Sequence, residues 1–175
     1  MDTLPEMTRT EAAAAHALEA AGISYIRLTH APASTMELCR GIGSEHGAEH
    51  CKNLLLANKR GTEFYLLLMC ADKPYRTSEV SRRLGSTRLS FATEAQLESV
   101  LGLKGGSVSV LGLINPCARE AYRAGSLRVA IDRDLMKRGR ICVHPNENTE
   151  SYVIDTADLD RFLGFIGVRY TLTEV

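Results

Sequence analysis

The stretch from Lys52 to Met69, KNLLLANKRGTEFYLLLM, sets two apolar runs on either side of a short segment that contains Asn and Gly. Asn53 to Ala57 (NLLLA) and Glu63 to Met69 (EFYLLLM) have the length of strands, and NKRG between them has turn chemistry, so the stretch predicts a β-hairpin. The rest of the fold is read outward from it.

Toward the N-terminus, Thr8 with Glu11 reads as a capping box that opens an alanine-rich helix, and Gly22 stands where a glycine cap would end it. A strand is expected over Ser24 to Thr29, broken by His30-Ala31-Pro32. Ser34 with Glu37 suggests a short helix running to about Gly41, and the glycine-punctuated GIGSEHGAEH then delivers the chain to Lys52. Toward the C-terminus, Thr77 caps a helix through Leu84, Leu89 to Phe91 is a short strand, and Thr93 with Gln96 caps a helix that stops at Gly102. The glycine-rich GGSVSVLGLIN follows, then a strand at Leu127 to Asp132, a helical piece at about Arg133 to Lys137 and a strand ending at His144. Ser151 to Asp155 is expected to pair nearby, Asp158 to Ile166 to be the last helix and Val168 to Leu172 a closing strand. Interleaved helices and strands without a repeat or linker give an α+β class, one domain over residues 1–175 around a mixed sheet.

Composition sets the bounds. Of 175 residues, 45% are hydrophobic and 24% charged, enough apolar material for one real core and a short chain for two. Lys plus Arg (21) equals Asp plus Glu (21), so any polyanion must meet a local patch and not a global field. The five cysteines form no C-x-x-C pair, which argues against a disulfide framework or zinc ribbon and for a reducing, cytoplasmic setting. No basic leader and no apolar run near 18 residues is readable, so neither a signal peptide nor a membrane partner is expected.

Several residues carry chemistry that can be weighed against plainer readings. The Lys52 ammonium, at the mouth of an apolar strand, can reach a phosphate or carboxylate; a solvated strand-end lysine is the alternative. Gly105 to Gly112 (GGSVSVLG) permits a tight path whose N–H groups could face an anion or an oxyanion, or it is a plain helix-to-strand turn. His46, His50 and Cys51 hint at a metal, since imidazoles four apart share a helix face, but Gly47 weakens that helix and no fourth ligand fits, so no metal or other cofactor is expected. His144, before Pro145, is either a structural histidine or part of a site. Lys73, Arg76, Arg82, Arg83 and Arg88 are a solvated face or a patch for an RNA backbone. There is no G-x-S-x-G elbow and no cue to a serine or cysteine nucleophile.

The order of these blocks is more telling than any one of them: KNLLL with its hairpin, DKPYRTSEVSRRLGSTRLSFA, GGSVSVLGLIN, and VHPNENTES before a terminal helix. From about Ala12 to Leu172 the arrangement resembles the prolyl-tRNA editing proteins, stand-alone YbaK/ProX-type aminoacyl-tRNA deacylases related to the editing domain inserted in bacterial prolyl-tRNA synthetases. The resemblance implies a mixed, curved sheet surrounded by helices. It implies hydrolysis of the ester between a wrong amino acid, most often alanine, and the 3′ CCA end of the proline tRNA. Prolyl-tRNA synthetase is an optional second partner, and no DNA, membrane or cofactor is implied. Lys52 matches the family's lysine at the tRNA end, and Gly106 to Val110 falls on its G-x-x-x-P loop, which positions ester and water. The catalytic set is thus Lys52, Gly106 and Gly112; Asn53, Ser107, Val108, Ser109, Val110, Leu111, His144 and Asn148 border the substrate. Val110 replaces the loop's proline, so the loop is less rigid here or is held by packing. Three alternatives stay open: a deacylase for Cys-, Ser- or Thr-tRNA, a non-catalytic module that binds tRNA or the synthetase, and a metal-dependent hydrolase using His46, His50 and Cys51.

Overall fold

The second apolar run of the hairpin forms strand β3 (Phe64–Cys70), and every one of its residues is buried. Cover on both faces explains why it reads as a continuous run without polar alternation. The computed structural model describes residues 6–33, 36–39 and 41–175, and in it β3 lies inside an eight-stranded mixed sheet. Its neighbours are β2 (Ala48–Asn58), antiparallel as a hairpin requires, and β5 (Leu127–Asp132), which is parallel. β8 (Tyr170–Thr173) joins β5 in parallel, and β4 (Leu89–Phe91) pairs antiparallel with the end of β2. The start of β2 pairs in parallel with β6 (Arg140–Val143), beyond which lie β7 (Glu150–Asp155) and β1 (Ile26–Thr29), both antiparallel to their neighbours.

The Asn58 side chain reinforces the backbone bonds that close the hairpin turn. Asn58 Oδ1 accepts the N–H groups of Thr62 (2.9 Å) and Glu63 (3.3 Å), while Gly61 takes the positive φ that the reversal needs. From there the strands present two faces. Leu55, Ala57, Phe64, Leu66, Leu68, Val129 and Ile131 face the larger core, with α1 (Arg9–Ala20), α4 (Glu94–Leu101), α5 (Pro116–Arg123) and α6 (Ala157–Phe165) contributing to it. Leu56, Tyr65, Leu67, Met69 and Ala130 face a smaller core shared with Val80 of α3 (Thr77–Arg83).

Most expected elements lie within a few residues of their expected places. The capping box at Thr93 and Gln96 is complete, and Gly102 ends α4 in the left-handed region. The strand expected from Ser24 begins at Ile26, and the closing strand begins at Tyr170, not Val168. Two differences matter for function. β2 begins at Ala48, not Asn53, so His50 sits in a strand and His46 in a 3-10 turn over Ser44–His46; the shared helix face proposed for them does not exist. α5 was not anticipated, although Asn115-Pro116 carries the signal of a proline at the first helical position. The short helix α2 spans Met36–Cys39; Ser34, its expected cap, lies outside the described residues.

The N-terminal helix is tied to the sheet edge by buried charge. Thr8 accepts the N–H of Glu11 as a cap should, but the Glu11 carboxylate turns inward and does not complete the box. It receives Arg27 Nε at 2.7 Å and the Tyr152 hydroxyl at 3.1 Å. Arg27 also meets Glu150 at 3.3 Å, and Thr29 donates to Glu150 at 3.0 Å. Removing the cation would strand two buried carboxylates. Arg27→Ala is therefore expected to lower stability by about 3–5 kcal/mol in denaturant unfolding; a loss below about 1 kcal/mol would show that the carboxylates do not depend on it.

Candidate active site

One edge of β2 is taken by β3 from Cys51 to Ala57. The other is shared, with β6 pairing at Ala48 to His50 and β4 at Leu56 to Asn58, where the Ala92 N–H also reaches the Leu55 carbonyl (2.9 Å). Between them, Cys51 to Leu54 has no strand on that side. A pocket of about 300 Å³ occupies the gap. Its lining takes Cys51, Lys52, Asn53 and Leu54 in unbroken sequence, so residues from both faces of the strand contribute. Only a site at a strand's edge can do that.

The opposite wall comes from Gly106 and Val108, the rim from Tyr75 and Phe91, and the remaining wall from Ala33, Cys39 and His144. Gly106 has φ +81°, which its lack of a side chain permits. Gly106 and Val108 make no N–H hydrogen bond among the described residues, whereas the Ser107 N–H turns back to the Lys104 carbonyl. The Asn53 carboxamide Oδ1 accepts the Val110 N–H at 3.1 Å and so fastens the glycine loop across the gap. This explains the missing proline: proline has no N–H to give, while Val110 gives one to Asn53 and buries its side chain in the larger core.

The remaining expected site residues stand behind this lining. Ser109 is fully buried; its hydroxyl donates to the His144 carbonyl and accepts the Leu111 N–H. Leu111 packs in the core. Gly112 packs closely, since a Cβ there would lie 2.6 Å from the Leu103 side chain and force that side chain to shift. The Asn148 carbonyl accepts the Ala33 N–H (2.8 Å), which holds Ala33 in the wall. Lys73 is engaged by Asp132 (2.9 Å) and Asp134, and Arg76, Arg82, Arg83 and Arg88 are exposed, Arg83 meeting Glu174 at 3.7 Å. Ala33, Cys39, Tyr75 and Phe91 were not anticipated, and no local pattern marks them.

Burial sets the chemistry of the lining. His144 lies just past β6 and donates its Nδ1–H to the Glu150 carbonyl at 3.0 Å, which leaves Nε2 with the lone pair. Desolvation lowers its pKa, and the same effect with nearby His144 and His30 pushes that of His50 down to about 4, so both rings are neutral at pH 7. Desolvation raises the Cys51 thiol to about 11, and its proton points to the Cys142 carbonyl. A thiol so placed is no nucleophile. Lys52 is half-buried and its ammonium donates to the Lys73 carbonyl. After Pro145 the chain turns through Asn146 at φ 65°, the one non-glycine residue with positive φ among the described residues. The grouping of His46 and Cys51 with His50 does not form; Cys39, His50 and His144 converge instead.

A mixed sheet with a pocket built by a Lys-Asn strand edge, a glycine loop and a His-Pro turn defines a class of protein. The chain belongs to the aminoacyl-tRNA editing domain family, which matches residues 30–162. Among individual relatives, it is 31% identical over 153 residues to the prolyl-tRNA editing protein ProX of Acetoanaerobium sticklandii, spanning 87% of this chain and 90% of that one. It is 36% identical over 114 residues to prolyl-tRNA synthetase associated domain-containing protein 1 of Danio rerio, 64% of this chain and 58% of that one. The fold matches the crystal structure of a candidate trans-editing enzyme for prolyl-tRNA synthetase with TM-score 0.69, over 97% of this chain and 99% of that one at 18% identity.

The Asn53 to Val110 bond can be isolated by a double-mutant cycle. Asn53→Ala in the native background should cost about 1–3 kcal/mol, because a buried N–H loses its partner. In a Val110→Pro background, where there is no N–H to lose, the same change should cost less, with a coupling of at least about 0.5 kcal/mol. Equal losses in both backgrounds would show that the bond does not hold the loop.

Proposed function

We propose that this chain is a trans-acting aminoacyl-tRNA deacylase, one editing domain working in the cytoplasm that removes alanine from mischarged proline tRNA. The observation that carries the reading is the convergence of Lys52, Asn53, Gly106, Val108 and His144 on one pocket at the open edge of β2. Among the described residues no helix is long and apolar enough to cross a membrane, and a 3′ CCA end is a single strand suited to such an open site.

The aminoacyl ester is already activated, so hydrolysis needs a placed water and donors for the developing oxyanion more than a protein nucleophile. The thiols that line the pocket, Cys39 and Cys51, are buried, held in the neutral form by desolvation and directed at the Ala33 and Cys142 carbonyls, and the Ser109 hydroxyl behind the lining donates to the His144 carbonyl. The Gly106 and Val108 N–H groups are the oxyanion donors in this scheme, and Lys52 faces the terminal phosphate. The Tyr75 and Phe91 rings, 4.9 Å apart, offer the terminal adenine a stacking surface, with Phe91 58% exposed. His144, neutral and fixed by Glu150, borders the amino-acid end and does not act as general base. Gly112, Ser109 and Asn148 support the lining from behind. Editing of this kind is required because a missing methylene is worth only about 1–3 kcal/mol in a synthetase pocket, and a second, smaller pocket discriminates by size.

Deacylation of purified Ala-tRNA(Pro), with Cys-, Ser- and Thr-charged tRNAs alongside, tests the proposal. Wild type should release alanine fastest, and Lys52→Ala should slow release by roughly a hundredfold. A native rate in Lys52→Ala would sink its role, faster release of another amino acid would reassign the substrate, and binding without release would make the chain a tRNA-binding module.

A further inference from the structure

The wall between two cavities carries a donor set of which the deacylation scheme uses only His144, and that only as a border of the pocket. Cys39 lines both the pocket at the β2 edge and a second cavity of about 350 Å³; His144 lines the first and His50 the second. One ligand atom from each of Cys39, His50 and His144 lies within 4.8 Å of the other two. The three residues are 3%, 8% and 8% exposed.

Two further features single the cluster out. His50 Nε2 is buried with no hydrogen-bond partner, a state that costs free energy unless something else satisfies it. His144 donates its Nδ1–H to a backbone carbonyl, the outer contact by which a metal-binding histidine is held in one tautomer with Nε2 free.

We infer that Cys39, His50 and His144 bind a zinc ion whose fourth position opens to the adjoining cavities. Thiolate and imidazole are both zinc ligands, and three protein ligands with an open fourth position is the arrangement of catalytic zinc sites. Zinc bonds of about 2.0–2.1 Å to nitrogen and 2.3 Å to sulfur in a tetrahedron place these ligand atoms about 3.3–3.6 Å apart, so the cluster must tighten by up to roughly 1.5 Å. Binding releases the Cys39 thiol proton to solvent and, among the described residues, gives up the weak contact of that thiol with the Ala33 carbonyl, at 3.6 Å. The two donors flanking His50 in the sequence-based grouping, His46 and Cys51, are not part of the set; Cys39 and His144 reach it from distant parts of the chain. A water on the fourth position would stand beside the pocket, yet the binding claim is independent of the deacylase reading.

The full chain, stripped with chelator and dialysed against zinc chloride, should retain about one zinc per chain by elemental analysis. With cobalt(II) instead, it should show thiolate charge-transfer absorption and visible bands of a four-coordinate ion. Cys39→Ser and His50→Gln should each weaken zinc binding, measured by competition with a chromophoric chelator, by more than about tenfold. His46→Gln and Cys51→Ser should leave it unchanged. Failure of the wild-type chain to retain zinc, or affinities in Cys39→Ser and His50→Gln equal to wild type, would overturn the site. Neither outcome bears on ester hydrolysis, which is read separately with charged tRNA.

Discussion

A strand has two edges, and β2 must serve three neighbours. β3 occupies one edge, so β6 and β4 divide the other, and the geometry of their approach leaves Cys51 to Leu54 between them without a partner strand. The cavity follows from that division. Backbone groups alternate sides along a strand, and the Leu55 carbonyl bonds outward to Ala92; the carbonyls of Asn53 and Cys51 therefore face the same opening. An unpaired edge left to solvent is a liability in most proteins. Here it is lined by side chains and bounded by a loop, and its polar backbone faces a pocket in place of open solvent.

The walls of that opening hang on a chain of contacts running back to the N-terminal helix. Glu11 holds Arg27, Arg27 holds Glu150, the Glu150 carbonyl orients the His144 ring, and the His144 carbonyl receives Ser109 at the base of the glycine loop. Charged groups in the first part of this series are nearly fully buried, so each is tolerated only while its partner is in place. Tyr25 and Tyr152 stack 4.3 Å apart beside the Glu11 carboxylate and exclude water from it. The result is a wall fixed by hydrogen bonds at both of its polar ends, the rigidity that the proposed placement of a water molecule and an ester requires.

The hairpin was legible because apolar runs and turn residues are local signals, and the same holds for the Thr93 cap and for Gly102. The strand order was not, since the parallel pairing of β3 with β5 joins residues some sixty positions apart and leaves no local trace. Among the residues that line the pocket, Lys52, Asn53, Gly106 and His144 are the ones that the order of blocks singles out, while Tyr75, Phe91, Ala33 and Cys39 are brought in by tertiary packing alone. The start of β2 was read five residues late because AEHCK mixes charge with small residues, and only its pairing with β6 makes it a strand. That single difference moved His50 from an imagined helix face to the cavity wall.

Proline and valine at the fourth position after Gly106 are two incompatible ways to hold the same loop. A proline restricts φ and needs no partner, but it has no hydrogen to offer a neighbouring carboxamide. Valine leaves φ freer and recovers order by donating to Asn53 Oδ1 and filling a fully buried position. In this chain, then, the residue next to Lys52 uses one lone pair of its carboxamide oxygen to hold the loop. The strand that carries Lys52 and the loop that carries Gly106 and Val108 are thus joined by the hydrogen bond that Val110 donates to Asn53, across the pocket that all of these residues but Val110 line.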